Sequence, residues 1–360
     1  MSKTLDKISS FLLDKSNKDY HYNNHEEYNY KISSGSLNLD LALDGGFTSG
    51  AHRFTGVNEG GKTSCALTVA KNFQEHFGKE GMVVYIRSEG RLSDDMLKRN
   101  GIDLNPEKFF RFDCNIFEKV FELIRMLVVE NEDNKRYLFV IDSVDALCRI
   151  GDHAKPFDES EQVAGGALVT SVFLKKMVLP ITKLGHMIIL TSQVRIEIPA
   201  NAYAARGGPK VKQAGGNAIK HYANYILEFE ERYTSDIIFP NPNASKIQDK
   251  GNPIGHYCKI KFKKSINEKT GAVVRYPIKY GRTDGNSIWI EREIIDMMKL
   301  WGYIEQKGAW INFDPDIVSL CKDKGIDCPE KIQGEPKLVD FIENNSKFNK
   351  IILKHIKSNF

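Results

Sequence analysis

No run in this 360-residue chain approaches the roughly 18 uncharged apolar residues needed to cross a membrane. The opening MSKTLDKISS has no apolar h-region, so no secretory signal is expected. The six cysteines, at positions 65, 114, 148, 258, 321 and 328, form no C-x-x-C pair and no Cys/His cluster at zinc-finger spacing. That pattern predicts reduced thiols in a cytosolic protein rather than a disulfide framework. A strong charge of either sign is also missing. Lysine plus arginine (51) against aspartate plus glutamate (47) leave +4, so attraction for a polyanion has to come from local clusters. No repeat at a fixed period and no low-complexity tract is present, which removes solenoids and coiled coils.

What remains is patterning. Leu5, Ile8 and Leu12 fall on one stripe of a short helix over residues 3–14, and the aperiodic stretch from Ser16 to Tyr30 reads as an extended linker. Periodicity leaves open whether this helix reaches a neighbouring subunit or folds back on its own core. From Ile32 to about Arg282, short apolar runs alternate with helical patterns: HRFTG (52–56), MVVYIRS (82–88), YLFVIDS (137–143), MIILTSQ (187–193) and YILEFE (225–230). Such runs predict an α/β core with a mostly parallel central sheet buried on both faces. CKIKFKKS (258–265) and VVRYPIKYG (273–281), joined by NEKTG, predict a β-hairpin beside it. The expected division is 1–31 as N-terminal helix and linker, 32–285 as core, and 286–360 as a small α+β module.

The sharpest local signal is Gly56-Val57-Asn58-Glu59-Gly60-Gly61-Lys62-Thr63, followed by Ser64. It fits G-x-x-x-x-G-K-[ST], preceded by an apolar strand and followed by the helical CALTVAKNF. The glycines let backbone N–H groups wrap phosphates, and the helix N-terminus adds a favourable dipole. Lys62 is placed to reach the terminal phosphates and the Thr63 hydroxyl to ligate Mg²⁺. A P-loop needs a carboxylate at the end of an adjacent buried strand, and Asp142, closing YLFVID, stands there. Glu89, after MVVYIRS, is the candidate to orient and deprotonate water. The segment 194–214, VRIEIPANAYAARGGPKVKQA, is long for a connection and carries Arg195, Arg206, Lys210 and Lys212 against Glu197, suited to sequence-independent phosphate contacts.

In this order, SSGSLNLDLALDGGFTSG, the P-loop, YIRSEGRL, VIDSVDAL, TSQVR (191–195), GGNAIKHYAN (215–224), YG (280–281) and KGAWI (307–311) resemble the RecA family of bacterial and phage recombinases. The resemblance runs from about Ile32 to the C-terminus. It implies a RecA-like P-loop ATPase core and a C-terminal module that captures duplex DNA, and the short N-terminal helix is expected to serve subunit contact. It makes Glu89 the catalytic base and Gln193 the γ-phosphate sensor, puts Tyr280 beside adenine, and sends Lys264 across the subunit boundary to a neighbour's ATP. For DNA it implies a first loop with Val163 as apolar wedge and Lys175 and Lys176 on the helix after it. The second loop has Ile198 as wedge, Tyr203 placed to stack on bases, and Gly215, Gly216 and Asn217 at its end.

The sequence departs from the family at Leu168, where an arginine is expected, and at Ile266, where a second lysine is expected. Ser93 and Met96 likewise replace an aspartate and a tyrosine near the adenine. The expected protein is a cytoplasmic DNA-dependent ATPase, bacterial or from phage-infected host cytosol. With ATP and Mg²⁺ it forms a helical filament on single-stranded DNA and exchanges strands with duplex, with mediator or single-strand-binding proteins as further partners and no membrane. The alternatives are another RecA-core ATPase of RadA-like or KaiC-like type, and a filament-forming DNA-binding protein with little turnover.

Overall fold

The computed structural model describes residues 3–14, 21–23, 28–90, 92–156, 165–197, 210–213, 216–241, 244–245 and 247–357. Its strands in chain order are β1 (Gly50–Gly56), β2 (Gly81–Arg87), β3 (Phe109–Asp113), β4 (Arg136–Asp142), β5 (Met187–Glu197), β6 (Lys210–Gln213), β7 (Tyr225–Phe229), β8 (Ile237–Ile238), β9 (Gly255–Lys264) and β10 (Val273–Lys279). They join in the order β10-β9-β7-β1-β5-β4-β2-β3, with β6 beside β5 and β8 beside β9. From β7 through β3 neighbouring strands run parallel. β9 is antiparallel to β7 and to β10, which makes the expected hairpin an extension of the same sheet.

The parallel strands are apolar on both faces because both faces are covered. Val83, Tyr85, Leu138, Val140 and Ile189 point to one side and pack under the helix Lys62–Phe77, through Ala66, Val69, Ala70 and Phe73. Their neighbours Val84, Ile86, Phe139, Ile141 and Ile188 point to the other, against the helices Phe117–Val129 and Gly165–Lys183. There Phe121 and Phe173 stack at 3.9 Å between ring centroids. β3 was not foreseen from the sequence. It is a five-residue edge strand, only partly buried, and FFRFD lacks the long apolar run that marks the central strands.

Beyond the sheet, the helix Ile290–Leu300 leads into β11 (Ile304–Lys307), β12 (Trp310–Phe313) and β13 (Lys331–Gln333), an antiparallel set in the order β11-β12-β13. Three further helices, Pro315–Asp323, Glu335–Asn344 and Ser346–Lys357, close a separate apolar cluster around Ile294, Met298, Ile311, Ile342, Phe348 and Ile352. The helix Lys3–Leu13 buries none of its residues, and Leu5 and Ile8 are half exposed or more. The end of the expected linker is pinned instead. Tyr30 is buried with its hydroxyl donating to Gly185 O at 3.1 Å, and the Arg136 guanidinium lies over the Tyr28 ring.

A buried carboxylate joins the helix Ile290–Leu300 to the helix Leu37–Ala42. Glu293 is wholly buried and accepts from Ser36 Oγ at 2.6 Å, Leu37 N at 3.0 Å and Asn38 N at 3.3 Å. Leu37 N and Asn38 N are orphan donors at the start of the helix Leu37–Ala42, where negative charge is favoured, and Ser36 is its N-cap. Burial nevertheless wins and raises the carboxyl to about 7, with the three donors opposing the shift. The folded state therefore holds this proton to higher pH than the unfolded chain does. Its contribution to stability is full below pH 4.5 and is lost as pH rises through about 7. Glu293→Gln should flatten this part of the stability profile, by up to roughly 3 kcal/mol, in denaturant titrations run from pH 4.5 to 8.

Candidate nucleotide site and nucleic-acid interface

The loop from Gly56 to Gly61 lies at the carboxyl end of β1, and Lys62 opens the helix that follows. Gly56 has φ +142°, and a Cβ there would sit 2.1 Å from Phe229 O on β7, so only glycine allows the loop this close to its neighbour strand. Gly61, at φ +106°, ends the loop as the N-cap of the helix. The Lys62 ammonium donates to Gly56 O at 3.0 Å and Val57 O at 2.6 Å, curling back over the loop. Burial lowers its pKa, and the charges of Asp142, Glu89 and Asp145 oppose that shift. Val57, Asn58, Glu59, Gly60 and Ser64 form the rim, with Asn58, Glu59 and Ser64 exposed.

Asp142 closes β4 beside this loop. Thr63 Oγ1 donates to its Oδ2 at 3.0 Å, Thr191 Oγ1 donates to its Oδ1 at 2.6 Å, and the Tyr85 hydroxyl also donates to Oδ2. Burial, then the Asp142 charge, pushes Tyr85 well above the usual phenol range. Glu89, exposed just past β2, accepts from Ser143 Oγ. Gln193, half-buried on β5, donates its backbone N–H to Asp145. Arg53, wholly buried on β1, donates Nε to Ser192 Oγ at 2.9 Å. Its pKa falls to about 10 through burial, against the supporting charge of Asp145. Thr63 and Asp142 offer only hard oxygen donors, a set that suits Mg²⁺. The structure therefore brings Lys62, Thr63, Asp142, Glu89 and Gln193 to one edge of the sheet, where the parallel strands end.

Past Gln193, β5 continues into a ribbon with β6, in a register that pairs Arg195 with Lys212 and Glu197 with Lys210. Gly216 and Asn217 begin the helix Gly216–Tyr222. Lys175 and Lys176 are exposed on the helix Gly165–Lys183. Val163, Ile198, Tyr203, Arg206 and Gly215 lie outside the described residues.

The RecA N-terminal domain family matches residues 5–275, about three quarters of the sequence. The chain belongs to the RecA family. Protein RecA of Cereibacter sphaeroides is 27% identical over 283 residues, covering 78% of this chain and 74% of the relative. That of Rhodospirillum centenum is 25% identical over 330 residues, covering 91% and 80%, and that of Solidesulfovibrio magneticus is 28% identical over 296 residues, covering 81% and 75%. RecA-family membership places the chain among recombination and repair proteins that bind nucleotide with a divalent metal, bind DNA and self-associate. No helix among the described residues is long and apolar enough to cross a membrane.

Of the positions where this RecA-family chain departs from the expected pattern, Ser93 has a local structural role and the other three are exposed. Ser93 caps the helix Asp94–Arg99 by accepting from Met96 N, and Met96 itself is exposed. That helix leads to Asn100, which with Gly61, Ser64, His256 and Tyr276 lines a cavity of about 270 Å³ beside the P-loop. Burial and the nearby Arg232 lower His256 to about 4, so it is neutral at pH 7, and the Tyr280 ring tilts against it at 5.4 Å. Lys264 ends β9 and donates to the carbonyls of Lys220 and His221 in its own chain, both at 2.8 Å. Ile266 and Leu168 are exposed.

Tyr85, Thr191, Arg53 and Asp145 were not singled out from the sequence. Signals existed for two of them. A tyrosine inside MVVYIRS and an arginine inside HRFTG both lie in strands expected to be buried on two faces, where each polar group needs a partner. Arg53→Met would remove the Nε bond to Ser192 Oγ and the buried positive charge that faces Asp145. It should cost about 1–3 kcal/mol in chemical denaturation, whereas a loss below about 0.5 kcal/mol would show that the buried charge is not structural.

Proposed function

We propose that this chain is an ATP-driven DNA strand-exchange recombinase that works as a helical filament on single-stranded DNA. The observation that carries the reading is the continuity of β5. Gln193 stands at the P-loop's edge of the sheet, and at the next residue, Val194, the same strand enters the ribbon that bears Arg195, Lys210 and Lys212. In this reading Gly56 to Ser64 wrap the phosphates, Lys62 neutralises their charge, and Tyr280 flanks the adenine. Glu89 orients and deprotonates the attacking water, while Gln193 senses the terminal phosphate. Thr63 and Asp142 hold Mg²⁺, which supplies charge neutralisation at the phosphates when bound.

The DNA side of the proposal consists of Lys175 and Lys176, the ribbon residues, and Val163, Ile198, Tyr203, Arg206, Gly215, Gly216 and Asn217. They would contact backbone and bases without reading sequence. The division into 1–31, 32–285 and 286–360, and a cytoplasmic location, belong to the same proposal. The exposed Leu5 and Ile8 of the first helix support a role in subunit contact. A second reading, a DNA-binding polymer with little turnover, is favoured by one observation: Lys264 is engaged within its own chain.

Strand exchange between circular single-stranded DNA and homologous linear duplex, with ATP and Mg²⁺, tests the proposal. Joint molecules and nicked circles are the expected products, and their absence alongside ordered filaments would leave the second reading in place. Lys62→Ala should reduce DNA-stimulated phosphate release by at least about 100-fold, because the charge that Lys62 supplies acts on the transferring group. A wild-type protein with no DNA-stimulated release would exclude the ATPase assignment.

A further inference from the structure

Asp142 receives more hydroxyl donors than the P-loop itself provides. Thr63 comes from the P-loop, but Tyr85 and Thr191 come from β2 and β5, the two strands that flank β4. Thr191 lies one step past the Ile141–Leu190 pair of the β4–β5 register, level with the carboxylate. Tyr85 lies two steps before the Arg87–Asp142 pair and reaches forward. Both are wholly buried. Oδ1 is thus fixed from one side of the strand and Oδ2 from the other.

An aspartate at a strand end otherwise turns freely about χ2, a broad and roughly two-fold torsion. Two charge-assisted hydrogen bonds from neighbouring strands remove that freedom before any cation arrives. We propose that Tyr85 and Thr191 are positioning residues for the nucleotide-bound divalent cation. They hold the Asp142 carboxylate in the single orientation that receives the cation's water, while Thr63 offers its own oxygen. Neither clamp residue touches the cation or the nucleotide. The inference rests on the reading of Gly56 to Thr63 as an ATP·Mg²⁺ site. A phenylalanine at 85 would fill the same core volume and a valine at 191 the same strand position, so the hydroxyls themselves are what the argument concerns.

The test is equilibrium binding of a fluorescent ATP analogue to the full chain across a Mg²⁺ series, with thermal melting of each variant alongside. Loss of an outer partner of a metal ligand typically weakens metal affinity about 10–100-fold. Tyr85→Phe and Thr191→Val should therefore each raise the Mg²⁺ concentration at half-maximal binding by about that factor. Binding measured in excess EDTA should stay at the wild-type level. Thr191→Ser keeps the hydroxyl and should restore the wild-type midpoint, which a merely structural role for the position would not predict. Cooperatively melting variants whose Mg²⁺ midpoints stay within about twofold of wild type would overturn the proposal and leave the ATP·Mg²⁺ reading intact, the effect then lying below the range for outer partners. If Tyr85→Phe fails to fold, the Val and Ser variants at 191 decide. A wild-type protein whose nucleotide binding ignores Mg²⁺ would instead overturn the reading of the site, and the proposal with it.

Discussion

Three consecutive residues of β5 each face a different part of the nucleotide site, and that strand is the constraint on which the rest depends. Thr191 bonds the Asp142 carboxylate, Ser192 accepts from Arg53 on the strand that enters the P-loop, and Gln193 donates its N–H to Asp145. A parallel strand buried on both faces cannot slide by one residue without sending its apolar side chains to the wrong layer. The register of β5 against β1 and β4 therefore fixes all three contacts at once. Because the same strand continues into the β5–β6 ribbon, displacement of the ribbon has to be absorbed within a few residues of the nucleotide's edge.

The P-loop shows how local conformation and charge are balanced around that strand. Gly56 permits contact with β7 that any side chain would block, and Lys62 satisfies its donors on the loop's own carbonyls. Burial alone would favour loss of its proton, yet Asp142, Glu89 and Asp145 all act in the opposite sense. A bound nucleotide's phosphates add negative charge to the same neighbourhood. They strengthen the charged form of Lys62 while they compete with the loop carbonyls for the ammonium's three donors. The exchange is one of hydrogen-bond partners, neutral carbonyl for charged phosphate, and charge-assisted bonds are the stronger kind.

Much of this was legible in the sequence, for reasons of periodicity. β1, β2, β4, β5 and β7 are apolar runs separated by helical patterns, and the P-loop announces itself through glycines at fixed spacing. Asp142 followed from standing at the end of such a run. β3 was missed because an edge strand needs no continuous apolar sequence. Tyr85, Thr191, Arg53 and Asp145 were missed because their meaning lies in partners on other strands, 48 to 139 residues away along the chain. Pattern rules work within one segment and are blind at that range. The end of the expected linker shows the same limit, since only the fold brings Tyr30 to Gly185, 155 residues distant.

Lys264 is held tightly within its own chain. In the single chain its ammonium serves two carbonyls at the end of the helix Gly216–Tyr222, a position where a cation is favoured by the helix dipole. Partial burial lowers its pKa, so the charge is held there at some cost in hydration. Any other partner has to displace both carbonyls, a loss of about 1–3 kcal/mol. An anionic partner offsets that loss because it offers full negative charge where the helix end offers partial charge. The helix that Lys264 holds is the one that begins at Gly216, three positions after the β5–β6 ribbon ends at Gln213, so this side chain ties the end of β9 to the helix that follows the ribbon.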